Sequence, residues 1–480
     1  MEVHEAMRRC VGRTACAARL FGSGLGLALS AMLVALSLVA AIAIGLPGIT
    51  AAAGATAGAG SATGSGTATG VGAGAGTAGE QIVIRMYSGM DQSNTIFEQY
   101  LRMYEKLHPN VKVENLGYEW DVNKLTTLFV AGNAPDIIQH GTGYILDLYR
   151  EGFIAPVPAA FATRLTDAWY PVFNLALTYE GRLIGVPAEN TVSGLWYNND
   201  ALAEAGIASL PRNFDELEKA GVKLAKFAAD GRLQRAALVE QGEWWSFNHF
   251  GWVTFKALGG RIVDQQGKLV LDGQPLRDLL AIVPRWIGPQ GFMRQGWNDQ
   301  LVRFFKGEIG MGFGYLWWAR QIQNNYKGNY LKAFGVGVFP QGPGGERGAL
   351  HYAHAYAVNK FSKHQDEAWK LLEWLVLQPV EGITPLGHAL APNSLPVIQA
   401  DFRSAVYDVY RPWMAGFISN LQYAWTGSQF RGYGLDADNV DFATAIWQVR
   451  DGKASPAQAI ADLVQKVQNK MNEFQASKKK

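Results

Sequence analysis

The chain has 480 residues, long enough for two or three domains around a buried core. Its charge is uneven: Leu20 to Gly79 holds no Asp, Glu, Lys or Arg, and taking the four arginines and two glutamates ahead of that gap from totals of 43 basic and 41 acidic residues leaves 39 of each in 80–480. A formally neutral folded part excludes the basic excess that attracts nucleic-acid backbones, and because Cys10 and Cys16 both precede the gap, a chain without its leader has no disulfide framework, thiol nucleophile or thiolate metal site.

Arg8, Arg9, Arg13 and Arg19 precede an uncharged apolar run over 24–46, and Ala51-Ala52-Ala53 follows it. A basic flank, an apolar core and small residues together form an export signal. The run Leu25 to Leu46 is 22 residues, which also suffices to span a bilayer, so residues 1–53 read as an export signal or an amino-terminal membrane anchor. Residues 54–79 are nearly all Gly, Ala, Thr and Ser. Such a stretch buries too little apolar surface to offset its ordering entropy and reads as a flexible tether.

Ile82 to Gly89 reads as a buried strand, with Asp91 in the loop behind it. A helix from Ser93 is predicted by Phe97, Tyr100, Leu101, Tyr104 and Leu107 at helical spacing. Val111 and Val113 begin a second strand; Val122, Leu125, Leu128 and Phe129 give a helix closed by Gly132; Asp136-Ile137-Ile138 gives a third strand. This β-α-β-α-β order argues for an α/β layer with a mainly parallel sheet. The pattern recurs. Asn213 and Glu216 stand at capping-box spacing, Phe334 to Phe339 and Ala355 to Val358 read as strands, and Asp366 to Leu377 reads as a helix stopped by Pro379. Ser455-Pro456-Ala457-Gln458 opens a last helix whose apolar face is Ile460, Leu463, Val464, Val467 and Met471. Residues 476–480 form a basic tail.

Four segments, in this order and spacing, carry a resemblance. They are Ala131-Gly132-Asn133-Ala134-Pro135-Asp136-Ile137-Ile138; Tyr179 to Pro187 followed by Leu195-Trp196-Tyr197-Asn198-Asn199-Asp200; Ala257-Leu258-Gly259-Gly260; and Phe304 to Met311 running into Gly314-Tyr315-Leu316-Trp317-Trp318. With them the chain resembles the extracellular solute-binding proteins of carbohydrate ABC importers, the class that includes maltose-binding protein. The resemblance implies an α/β, two-lobed, type II periplasmic-binding-protein-like fold with a hinged cleft. By similarity one lobe combines 80–188 with 349–403 and the other 193–345 with 408–475. It further implies an exported monomer that takes a small carbohydrate to membrane permease subunits, needs no cofactor, binds no nucleic acid and catalyses nothing.

Sugar rings offer C–H faces that stack on aromatic rings and hydroxyls that need paired donors and acceptors. The chain has 15 Trp, 18 Tyr and 23 Phe. Neighbours Trp317 and Trp318 cannot both face one core, and the family places a ligand-stacking tryptophan here, best matched by Trp317. Trp244, Trp245 and His249 are set in a polar loop before a helix Trp252–Leu258, and the family match does not choose among the three. Glu189 and Asn190 lie where the family chain crosses between lobes, as sugar-accepting groups or as a solvated hinge. His140, past the Asp136-Ile137-Ile138 strand, is a ligand contact or a structural histidine; Asp91 binds sugar or caps the following helix. His351, Tyr352 and His354 stand where the family commonly has glycines, a departure that implies either a smaller ligand or direct ring contacts from Tyr352 and His354; no Cys or carboxylate follows at metal-ligand spacing. Pro135-Asp136 and Asn198-Asn199-Asp200 read as structural.

Three rival readings remain. A polysaccharide-active enzyme needs a positioned carboxylate pair, and spacing does not pair Glu189, Glu240 or Glu243. A receptor of the same fold for a sugar phosphate or other anion would use an arginine such as Arg320. A sensor ectodomain would keep the 25–46 anchor.

Overall fold

The structure is a computed structural model that describes residues 81–90, 94–240, 244–295, 299–391, 393–436 and 440–477; the side chains of 244–247 and 295 fall outside that description. The leader, the tether, Asp91 and the basic run 478–480 therefore lie outside it as well.

The described residues form two six-stranded sheets. In the first, Val111–Asn115, Ile82–Met86, Ile137–Gly141, His354–Asn359 and Ile154–Ala155 lie side by side, with Val186–Pro187 also paired to His354–Asn359. In the second the order is Lys226–Phe227, Leu233–Glu240, Ile309–Gly314, Gly194–Asn198 and Phe334–Gly337, with Met293–Gln295 paired to Leu233–Glu240. A three-stranded sheet of Ala424–Thr426, Ala349–Tyr352 and Thr191–Val192 lies where the chain passes between the two.

Both large sheets are mixed rather than mainly parallel. The β-α-β stretch read from the sequence gives the parallel pairs of Ile82–Met86 with its two neighbours, and Leu233–Glu240, which the sequence reading did not identify, is parallel to Ile309–Gly314. The strands His354–Asn359 and Gly194–Asn198 pair antiparallel. Each enters its sheet from a distant part of the chain and needs no right-handed crossover helix to do so.

Local chemistry explains the elements. The first helix is Thr95–Leu107 and its cap is Asn94, whose Oδ1 accepts from Phe97 N at 3.1 Å, so neither Asp91 nor Ser93 holds that position. Four of its five apolar-face residues are buried; Leu107, in the last turn, is exposed. Asn213 accepts from Glu216 N at 2.9 Å, but Glu216 reaches back to Arg212 N rather than to Asn213 N, which leaves the capping box half made. Asp136 takes Arg85 N at 2.8 Å and also the Ser362 hydroxyl, and Asn198 caps Asn199–Glu204, so both motifs are structural.

Buried apolar residues fall into two clusters. One runs from the first sheet through to one face of the second, where it includes Trp196, Phe304, Trp318 and Trp413. The other covers the opposite face, with Leu195, Leu238, Phe250 and Phe313. Leu195 and Trp196 enter different clusters because successive strand residues point to opposite faces. Among the described residues, no helix is long and apolar enough to cross a membrane.

Candidate functional site

Aromatic side chains gather around His354, the first residue of its strand. The loop after Val111–Asn115 brings Tyr118 and Trp120. It is fixed at its base by Asn115, whose Nδ2 donates to Met90 O at 2.7 Å while Oδ1 takes Gly117 N at 3.2 Å, a turn that Gly117 completes at φ +79°. The strand Ile137–Gly141 brings His140 near its carboxyl end, and the next helix, Thr142–Arg150, brings Tyr144. Glu189 sits on the crossing segment, held beside His354 because Ala188 N donates to the His354 carbonyl at 2.9 Å. Ligands of open α/β sheets collect at these carboxyl ends.

The rings form a continuous array. Tyr118 lies 4.2 Å from Trp120, 5.7 Å from His140 and 5.5 Å from His354, centroid to centroid, and His140 lies 4.6 Å from Tyr144. Trp120 is 68% exposed and Tyr352 43%, so the array keeps open ring faces. Tyr352 continues it towards the second sheet: its ring is 6.3 Å from His249, whose Nδ1 is 2.6 Å from the Tyr315 hydroxyl.

Charge in this array is sparse. Glu189 Oε2 is 2.9 Å from His354 Nδ1, and Oε1 accepts from the Thr191 hydroxyl at 3.0 Å. Burial works against the Glu189 charge, yet these two hydrogen bonds hold its pKa below the usual carboxylate range. The contact assigns a proton to His354 Nδ1 and turns Nε2 towards the hydroxyls of Tyr352 at 3.3 Å and Tyr118 at 3.5 Å. Burial, with His354 nearby, lowers the His140 pKa to about 4, and burial lowers that of His249 to about 3. Both imidazoles are neutral at pH 7, and burial raises the Tyr118 and Tyr315 phenols. A surface of neutral rings, amphoteric hydroxyls and one carboxylate suits a polyhydroxylated ligand without charge-driven capture.

The sequence-derived site residues are divided by the structure. His140, Glu189, Tyr352, His354 and His249 come together in this array. Asn190 does not: it is fully buried, with Nδ2 on Pro396 O at 2.9 Å, its backbone N–H on Ser394 Oγ and Oδ1 3.2 Å from His351 Nε2, so it fastens the crossing segment. Trp318 is also fully buried, stacked at 6.1 Å on Trp196 and against Phe304, and it has no open face for a ligand. The strand below is made for it, since a Cβ on Gly312 would sit 2.9 Å from the indole. Trp317 is half-buried, and among the described residues its ring contact is Trp318, edge-on at 6.2 Å. Trp244 and Trp245 begin the helix Trp244–Ala257 rather than lying in a loop, and their side chains, like all of Asp91, lie outside the described residues.

Sequence reasoning missed Tyr118, Trp120, Tyr144 and Tyr315. Tyr118-Glu119-Trp120-Asp121, two aromatics among acids, carried the polar-loop signal used for Trp244 and Trp245. Among the described residues, no group of three or more His, Cys, Asp or Glu converges to hold a metal ion.

A family model described as bacterial extracellular solute-binding protein matches residues 88–379. A protein of Brucella abortus named as a binding protein is 25% identical over 305 residues, 62% of this chain and 72% of the relative. One of Deinococcus radiodurans named as an ABC transporter-binding protein is 24% identical over 350 residues, 67% of this chain and 77% of the relative. In three dimensions the chain is similar to the sugar-binding protein MalE of Xanthomonas citri, with a TM-score of 0.70 at 18% identity over 83% of this chain and 99% of that one. The GacH receptor of Streptomyces glaucescens, solved unliganded and with acarbose, gives 0.66 at 18% over 82% and 99%. These two likenesses establish a two-lobed binding-protein fold.

Proposed function

Since the chain belongs to the bacterial extracellular solute-binding protein family, we propose that it captures a sugar or oligosaccharide between its two lobes and delivers it to the membrane permease of an ABC importer. The observation that carries this reading is the array around His354, where open aromatic faces alternate with hydroxyls and neutral imidazoles. Relatives named as ABC transporter-binding proteins and fold neighbours titled as sugar-binding support it. In this reading 80–188 with 349–403 makes one lobe and 193–345 with 408–475 the other, and the protein works outside the cytoplasmic membrane as a monomer. Tyr118, Trp120 and Tyr352 stack on the ligand, while Glu189 orients His354.

Charge favours an uncharged ligand over the anionic alternative. Arg431, which lies near enough to His140 to oppose its protonation, is tied to Asp147 and Asp436. The ionised Glu189 would repel a phosphate or uronate. Catalysis has less support, because Glu189 is engaged by His354 and Thr191 and Glu240 is buried at its strand end.

A thermal-shift screen of neutral mono- and oligosaccharides, sugar phosphates and uronates tests the reading. A neutral sugar at 100 Kd should stabilise the native state by ~2.7 kcal/mol. Stabilisation by anions alone, or turnover of an oligosaccharide, would overturn it.

A further inference from the structure

The helix Thr142–Arg150 packs on the first sheet, yet one of its sides is fastened to chain from the second lobe. Thr142 Oγ1 donates to Ser428 Oγ at 3.2 Å. One turn on, Arg431 pairs through Nη1 with Asp147 and through Nη2 with Asp436 at 2.6 Å. At the end of the helix, the Arg150 guanidinium stands 4.3 Å over the ring of Phe474, which lies on the last helix, Pro456–Ser477. That last helix packs against Phe442–Arg450 and Gln274–Trp286 on the second lobe. Arg431 thus joins carboxylates held by opposite lobes.

Two details show that the junction is built for a guanidinium. A Cβ on Gly143 would sit 2.7 Å from Arg431 Nη2, so glycine there gives the guanidinium a close seat on the helix that a larger residue would push it out of. Asp147, Arg431 and Asp436 are all at least two-thirds shielded from solvent, where an ion pair is screened less than at the surface. The same helix carries Tyr144 in its first turn and follows His140, so whatever holds it against the second lobe also holds those rings at the cleft.

We propose that Arg431 is a positioning residue that holds the lobes in the arrangement of this structure by bridging Asp147 of the first lobe to Asp436 of the second. This rests on the two-lobed capture reading but not on the identity of the ligand. A hinge responds to any interaction that differs between its two states, and a bridge made in one state and solvated in the other is such an interaction.

The test needs no ligand. Val130 and Val222 are 75% and 70% exposed, one on each lobe, and the sole native cysteines are Cys10 and Cys16. In the full chain carrying Cys10→Ser and Cys16→Ser, nitroxides on Val130→Cys and Val222→Cys report the separation of the lobes by electron–electron double resonance. Arg431→Gln and Asp147→Asn should each shift the distribution to longer, broader distances, and the double variant should shift it no further than either alone. Arg431→Lys should recover part of the shift. Asp436→Asn should reproduce it from the other end of the bridge, which keeps the test intact if Arg431→Gln fails to fold. Distributions that superimpose on the parent's at an unchanged melting temperature would overturn the proposal, as would a parent distribution already as broad as the variants'. A failed sugar screen would leave this result untouched.

Discussion

Beside the first sheet, Tyr118 and Trp120 in a loop and Tyr144 in the first turn of a helix keep their rings partly in solvent, whereas beside the second Trp196, Trp286 and Trp318 are fully buried and Tyr315 and His249 nearly so. These residues are of similar type and their outcome is opposite, although Trp169, Tyr104 and Tyr356 beside the first sheet are buried as well. What separates them is the backbone beneath: alternating glycines in Ile309–Gly314 make a flat bed for Trp318, while the Asn115–Gly117 turn lifts Tyr118 and Trp120 off their sheet. An abundance of tryptophan therefore says little about binding until the neighbouring glycines and turns are considered.

The sharpest way to break this contrast is to truncate one ring from each side. Trp318→Ala should cost about 3–5 kcal/mol of stability in urea unfolding, the range for emptying a large buried aromatic site. A loss below about 1 kcal/mol would mean that the ring is not core.

A second effect concerns the buried imidazoles. His140, His249 and His351, with pKa values lowered by burial to about 4, 3 and 3, stay neutral in the folded chain while the unfolded chain protonates them below about 6.5. The unfolded state then binds more protons, so stability should fall as pH drops from 6.5 towards 4, by ~1.4 kcal/mol per pH unit for each histidine. Denaturant titrations of His351→Asn should show a slope shallower by one histidine's share; an unaltered slope would contradict the assignment.

Trp120→Ala should be the mirror image of Trp318→Ala. Stability should stay within ~0.5 kcal/mol, as for an exposed site, while affinity for the bound sugar drops about tenfold, ~1.4 kcal/mol. The smallest effect is expected for Glu189→Gln. Replacing the carboxylate that accepts from His354 Nδ1 by a weaker amide acceptor should cost ~0.5–1 kcal/mol of stability, and a binding isotherm should show weaker affinity without a change in stoichiometry.

Much of the fold was legible because its signals are local. Capping residues such as Asn213 and Ser455, helical spacing at Phe97, Leu101 and Tyr104, and Gly132 at φ +69° act within one or two turns of chain. The antiparallel pairings were not legible even where the strands were, since His354–Asn359 meets Ile137–Gly141 across more than 200 residues and no local pattern encodes that pairing. At the site, Glu189 was identifiable by its place at the crossing and His354 as a ring where the family has glycines, but their mutual hydrogen bond depends on the tertiary register at Ala188. Asn190, one residue on, points the other way into Ser394 and Pro396. A one-residue step reverses a side chain's direction, and sequence spacing alone did not settle which of the two faced the ligand.

The central claim is that solute is held on the open rings around His354. Its most direct test is a thermal-shift titration with the neutral sugar that best stabilises the parent protein, repeated on Trp120→Ala. At the concentration that is 100 Kd for the parent, the stabilisation should fall by about half in the variant while its ligand-free melting temperature matches the parent's. A full shift retained in Trp120→Ala would place the ligand elsewhere.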